Sequence, residues 1–186
     1  MSTQPLEQAI TAAKAVIAGV KPDQLSAPTP CKSWDVSALV NHLVGGQYFF
    51  ATAVKGDKMP EGDAPDYSSG DFVAAFAEGA SASVAAFNAD GAMSKIIHLP
   101  FGDMPGAAFA GIAATDTFTH AWDLAKATGQ STDLSPALAA GLLEGAKTFI
   151  PESFRGPEPA PFGPIQTAPA GACNADQLAA FLGRTV

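Results

Sequence analysis

The chain has 186 residues, of which 47% are hydrophobic and 15% charged, and its net charge is -8. That length suits one domain spanning residues 1–186, and the apolar content excludes a disordered chain, which is poor in apolar residues and rich in charge. With only ten Lys and Arg and no basic cluster, the chain lacks the cations that neutralise phosphate, which argues against nucleic-acid and anionic-membrane partners.

In chain order, Met1 to Glu7 shows no basic start followed by an apolar run, so no signal peptide is expected. Leu6, Ile10, Ala13, Ile17 and Val20 recur at spacings of four and three, which predicts an amphipathic helix. Lys21 to Ser33 is rich in proline and reads as a loop. Asp35 suits the cap of a second helix, with Val36 in the first helical position. Val36, Leu39, Leu43, Phe50 and Val54 form its apolar side. Gly56 to Gly70 is a connecting loop rich in Gly, Pro and Asp. A third helix carries Phe72, Phe76, Ala80, Val84 and Phe87. Asn88 to Pro105 is a long connection in which Lys95 to Leu99 is expected to be extended.

The fourth helix begins after Met104-Pro105-Gly106, a proline suited to a helix start, and is expected to run to Gly129. Ser135-Pro136 opens a fifth helix with Leu138, Leu142, Ala146 and Phe149. Pro151 to Gly171 is proline-rich and irregular, with Phe154 and Phe162 expected to pack onto the body. Asn174 and Gln177 resemble a capping box for a short last helix that ends in Phe181-Leu182-Gly183. No stretch approaches the ~18 uninterrupted apolar residues of a membrane span. The two cysteines, Cys31 and Cys173, form no CxxC pair, so a cytoplasmic protein with reduced thiols is expected. These elements predict an all-α domain, and the long connections point to at least one parallel helix pair in the bundle.

The candidate chemistry lies with the three histidines. Asp116 and His120 are four residues apart, on one face of the fourth helix. Phe109, Ala113, Asp116, His120 and Ala127 share a line, so Asp116 is expected to face the core. A carboxylate there is costly unless it is paired or metal-bound. His42 leans to the inner side of the second helix, ahead of Gly45-Gly46. Paired glycines in mid-helix point to close approach of another element or of a ligand. Two histidines and a carboxylate would leave coordination positions open, as catalytic zinc sites do. Spacing alone leaves open a plain Asp116–His120 hydrogen bond or an ion pair with a distant Arg.

The other polar residues have blander readings beside the chemical ones. His98 reads as a solvent-facing loop residue. Asp123 could accept a hydrogen bond from a ligand histidine, but an exposed or helix-capping carboxylate is the commoner case. Trp34 and Trp122 read as core anchors rather than substrate-stacking groups. Cys31 reads as a loop cysteine, with a reactive thiol near a helix N-terminus as the alternative.

Two segments carry a resemblance. One is Thr29-Pro30-Cys31-Lys32-Ser33-Trp34-Asp35-Val36-Ser37-Ala38-Leu39-Val40-Asn41-His42-Leu43-Val44-Gly45-Gly46. The other is Asp116-Thr117-Phe118-Thr119-His120-Ala121-Trp122-Asp123-Leu124-Ala125. Together, and with the ending Phe162-Gly163-Pro164 through Arg184, they resemble the DinB-like superfamily of metal-binding helical bundles. The closer likeness is to the branch related to the N-terminal domain of mycothiol-dependent maleylpyruvate isomerase.

The resemblance implies a four-helix bundle in up-down-down-up order with extra short helices and long loops. It implies a divalent metal, zinc, held by His42, Asp116 and His120, and mycothiol as a thiol co-substrate attacking a small electrophile. The isomerase has glutamate where this chain has Asp116; the shorter side chain would draw the ion toward the fourth helix or hold it through water. A non-catalytic metal-binding or sensing module, as a homodimer, is the alternative. Gly56–Gly70 and Pro151–Pro169 are the candidate rims of the site.

Overall fold

The computed structural model describes residues 2–157 and 160–186; Glu158 and Pro159, within the proline-rich segment, lie outside the described residues. Among the described residues, six α-helices carry the fold: α1 (Gln4–Ala18), α2 (Val36–Lys55), α3 (Phe72–Phe87), α4 (Gly106–Ala127), α5 (Pro136–Phe149) and α6 (Asn174–Phe181). One short antiparallel pair joins β1 (Ile96–Ile97) to β2 (Met104–Pro105), so the extended stretch expected near Lys95–Leu99 is two residues long. No helix among the described residues is long and apolar enough to cross a membrane.

The caps follow local chemistry. Asp35 accepts from the Ala38 N–H at 2.8 Å and starts α2, and Asp71 accepts from the Ala74 N–H at 3.0 Å and starts α3. Each satisfies an N–H that the first turn leaves without a partner. α1 ends at Ala18, so Val20 is buried just beyond the helix rather than on it. α4 ends at Ala127, short of Gly129. The expected Asn174 cap moves by one residue. Cys173 Sγ accepts from the Asp176 N–H at 3.4 Å, while Asn174 donates to the Pro136 carbonyl at 3.0 Å. Packing of α6 on α5 therefore takes Asn174 away from the capping role.

Side-chain contacts fix the helix directions. The loop after α2 returns along the helix, because Ser68 bonds to Ser37 and Asn41 near the α2 start. α3 then sets off beside α2 in the same direction, with Gly79 against Gln47 and Tyr48. α4 runs opposite to α2: Phe109 meets Phe50 while Asp116 meets His42. Gln130, just past α4, donates to Val16 near the end of α1 at 3.0 Å, so these two helices run together. The order is up-down-down-up in an all-α bundle.

The main core joins α1 to α4, with Phe76, Phe87, Phe109, Leu39 and Leu43 buried in it. A second apolar cluster lies on the other side of α4, where Phe118 and Trp122 meet Leu138, Leu178 and Leu182 of the α5–α6 region. Each large side chain so buried contributes roughly 1.5–3 kcal/mol. α4 is thus enclosed on most faces, which explains why one apolar stripe describes it poorly. Phe162 packs on this second cluster, whereas Phe154 is exposed.

Candidate metal centre

The site forms where α2 and α4 run side by side. Asp35 sets the start of α2, which places His42 on its second turn. The antiparallel course of α4 brings Asp116 and His120 alongside. His42 Nε2 lies 3.2 Å from Asp116 Oδ1, and His120 Nε2 lies 3.5 Å from the same oxygen. The two imidazoles meet edge to face with centroids 4.5 Å apart. Thr29 Oγ1 donates to the Trp34 carbonyl at 2.8 Å and fixes the loop ahead of α2. The Trp34 ring then lies 4.6 Å from the His42 ring and 5.4 Å from that of His120.

These donors fit a divalent ion. Two ligands held at ~2.0–2.1 Å by a tetrahedral ion stand about 3.3 Å apart, close to both separations from Asp116 Oδ1. One ligand atom from each of the three residues lies within 4.8 Å of the other two. The side chains of His42, Asp116 and His120 are 33%, 28% and 12% accessible, so a fourth ligand can approach from solvent. Burial pushes the Asp116 carboxyl up, but the neighbouring His120 and His42 imidazoles outweigh it and hold it below the usual carboxylate range.

Behind His120 lies a buried polar network. Its Nδ1 is 3.0 Å from Asp123 Oδ2, and the Asp123 side chain is inaccessible to solvent. Arg184 donates from Nε to Asp123 Oδ1 at 3.2 Å and from Nη2 to Asp123 Oδ2 at 3.0 Å. Burial disfavours the Asp123 anion, yet the His120 hydrogen bond and the Arg184 charge prevail and hold its pKa at about 2. The Cys31 thiol donates to Asp123 Oδ2 at 3.2 Å. Burial and the Asp123 charge push that thiol up to about 12 despite the opposing Arg184. Cys31 Sγ, His120 Nδ1 and Asp123 form a second convergence of donors, again within 4.8 Å of one another.

The structure brings His42, Asp116 and His120 together. It places Asp116 in a half-open crevice rather than in the core. Asp123 is the buried carboxylate of α4, not an exposed or capping one. Trp34, half-buried, packs against the main core and also walls the histidine pair, whereas Trp122 is fully buried and donates to Asp176 at 2.8 Å. His98 is exposed beside Asp103.

The glycine pair meets no other helix backbone. A Cβ at Gly45 would have only the Tyr67 ring nearby, at 3.8 Å, and one at Gly46 would lie 3.9 Å from Asp116 Oδ2. The Gly56–Gly70 loop therefore reaches the first glycine of the pair through Tyr67, which also stacks on Tyr48. The proline-rich segment packs with Gly163 against Gly183, the residue before Arg184. Arg184 escaped the sequence reading. Its signals were its charge and its place in the closing segment that carries the resemblance, 61 residues from Asp123.

Residues 6–125 match the mycothiol maleylpyruvate isomerase N-terminal domain family. The chain is also 42% identical over 184 residues to uncharacterized proteins of Mycobacterium tuberculosis strains CDC 1551 and H37Rv, covering 97% of this chain and 96% of each relative. No solved structure matches the chain. The family match spans His42, Asp116, His120 and Asp123 and stops well short of Arg184, and on that match the chain belongs to the mycothiol maleylpyruvate isomerase N-terminal domain family.

Proposed function

We propose that His42, Asp116 and His120 hold a divalent metal ion, zinc, and that the protein is a thiol-dependent transferase or isomerase acting on a small electrophile. The observation that carries this reading is the approach of both Nε2 atoms to one Asp116 oxygen, in a crevice that solvent reaches. A zinc ion so held supplies Lewis acidity and lowers the pKa of a bound thiol.

The chain's own residues do the rest. Asp123, an anion, can only accept a hydrogen bond, so His120 Nδ1 donates to it and Nε2 is left as the ring nitrogen that can offer a lone pair toward the crevice. The Trp34 ring closes one wall over both imidazoles. Cys31 holds its proton and serves poorly as the nucleophile, because the thiolate is the reactive form. The nucleophile therefore comes from outside, which supports a low-molecular-weight thiol such as mycothiol as co-substrate.

The test is metal analysis of untagged protein, followed by thiol-conjugation assays over a panel of electrophiles. One equivalent of zinc is expected, lost in His42→Ala, Asp116→Ala and His120→Ala. Unchanged metal content in all three variants rejects the site. Metal retained without thiol-dependent turnover favours a binding or sensing module, for which the solvent access of the site gives less reason.

A further inference from the structure

His120 faces two donor sets, one through each ring nitrogen. Nε2 faces His42 and Asp116; Nδ1 faces Asp123 and lies 3.9 Å from Cys31 Sγ. The second set contains a thiol, an imidazole and a carboxylate, donors that suit zinc as well as the first set does. It differs in one respect: a guanidinium already occupies it. Arg184 Nη2 lies 3.0 Å from Asp123 Oδ2 and 3.8 Å from Cys31 Sγ.

The fold holds that guanidinium in place. The Arg184 N–H donates to the Ala179 carbonyl at 2.9 Å, and its Nη1 donates to the Leu182 carbonyl at 3.1 Å. α6 is in turn fixed to α4 by the Trp122–Asp176 hydrogen bond. Arg184 is nearly buried, with 13% of its side chain accessible, so its charge is weakly screened there.

We infer that Arg184 is a positioning residue that blocks the Cys31–His120–Asp123 set and confines a divalent cation to the Nε2 side of His120. A cation entering the second set would meet a fixed positive charge and would have to displace two hydrogen bonds to Asp123. The arrangement keeps Cys31 off the metal and leaves the sulfur position to an external thiol. This inference rests on the proposed His42–Asp116–His120 site.

Cobalt(II) substitution tests it, because thiolate ligation gives a sulfur-to-cobalt charge-transfer band in the near ultraviolet and nitrogen–oxygen ligation does not. The full-length protein is expected to take up cobalt without that band. Arg184→Met is expected to show it, and Arg184→Met combined with Cys31→Ser to lose it. Arg184→Lys keeps the charge and should behave as the parent. If Arg184→Met does not fold, Arg184→Gln keeps a donor toward Asp123 without the charge and carries the same expectation.

A sulfur band in the parent protein overturns the inference, as does its absence from folded, cobalt-loaded Arg184→Met or Arg184→Gln. In the latter case the His42–Asp116–His120 reading survives. A parent protein that takes up no cobalt overturns both.

Discussion

Asp123 Oδ2 stands 3.0 Å from His120 Nδ1 with no solvent access to its own side chain, so one buried carboxylate both orients the imidazole and neutralises Arg184. Asp123→Asn separates these roles. Arg184 would keep its charge in a nearly buried position without a counter-ion, and breaking such a pair costs ~3–5 kcal/mol. Loss of the partner that orients a ligand histidine lowers metal affinity roughly 10–100-fold. Chemical denaturation and competition against a chelating zinc indicator measure the two effects. Combining Asp123→Asn with Arg184→Met should recover much of the stability, since no lone charge remains, but not the affinity. Unchanged zinc affinity in Asp123→Asn would show that the carboxylate does not orient the ligand.

Trp34 should report on the site optically. Its ring lies 4.6 Å from His42 and 5.4 Å from His120, whereas Trp122 is buried on the α6 side of α4 and bonded to Asp176. Zinc titration is expected to change tryptophan emission in the parent protein and in Trp122→Phe, and to leave Trp34→Phe unchanged. A response that follows Trp122 instead would place the ion elsewhere.

The helices were readable because their apolar spacing matches the buried faces of α1, α2 and α3, and because Asp35 and Pro136 mark true starts. The candidate trio was readable in part. Asp116 and His120 share a helix, so their spacing carries the geometry, while His42 needed the motif around it. The reading of Asp123 as an acceptor for a histidine held, since His120 lies three residues away, but its burial was misjudged because its other partner, Arg184, is not local. A carboxylate on a helix is usually solvated, and nothing near it in sequence predicts a guanidinium delivered from the chain's last turn. Likewise, Trp34 could be placed only once the Thr29–Trp34 loop was seen to fold over the histidines. Periodicity reports which face is covered, but not which distant polar group covers it.

That delivery of Arg184 depends on Gly183. Its φ is +95°, and a Cβ added there would lie 2.6 Å from Gly163 Cα. Backbone strain of this kind costs of order 1–3 kcal/mol, and the contact with Gly163 adds to it because both partners are main chain. Gly183→Ala is therefore expected to lower the melting temperature and to change zinc affinity by displacing Arg184 from Asp123. Gly171→Ala is the control, since its φ is +80° but nothing lies within 4 Å of the added Cβ. It should show a smaller stability loss and parental zinc affinity. Equal effects from the two substitutions would mean that the end of α6 has no special hold on the site.

Two helical glycines give opposite expectations. At Gly79, an added Cβ would lie 3.1 Å from both Gln47 Cβ and the Tyr48 ring. Forcing α2 and α3 apart costs typically 1–3 kcal/mol, against a helix-propensity gain of ~1 kcal/mol, so Gly79→Ala should be neutral to destabilising by up to about 2 kcal/mol. At Gly46 the nearest atoms, in Phe50 and Asp116, are at 3.8 and 3.9 Å, ordinary contact distances. Gly46→Ala should therefore stabilise the fold by up to ~1 kcal/mol and leave zinc content unchanged. Its methyl would nevertheless stand beside Asp116 Oδ2, at the crevice proposed for an external thiol. If the protein is an enzyme, the expected signature is a raised KM for the thiol with zinc stoichiometry intact. A variant that is more stable, fully loaded and kinetically unchanged would show that the thiol enters from another side.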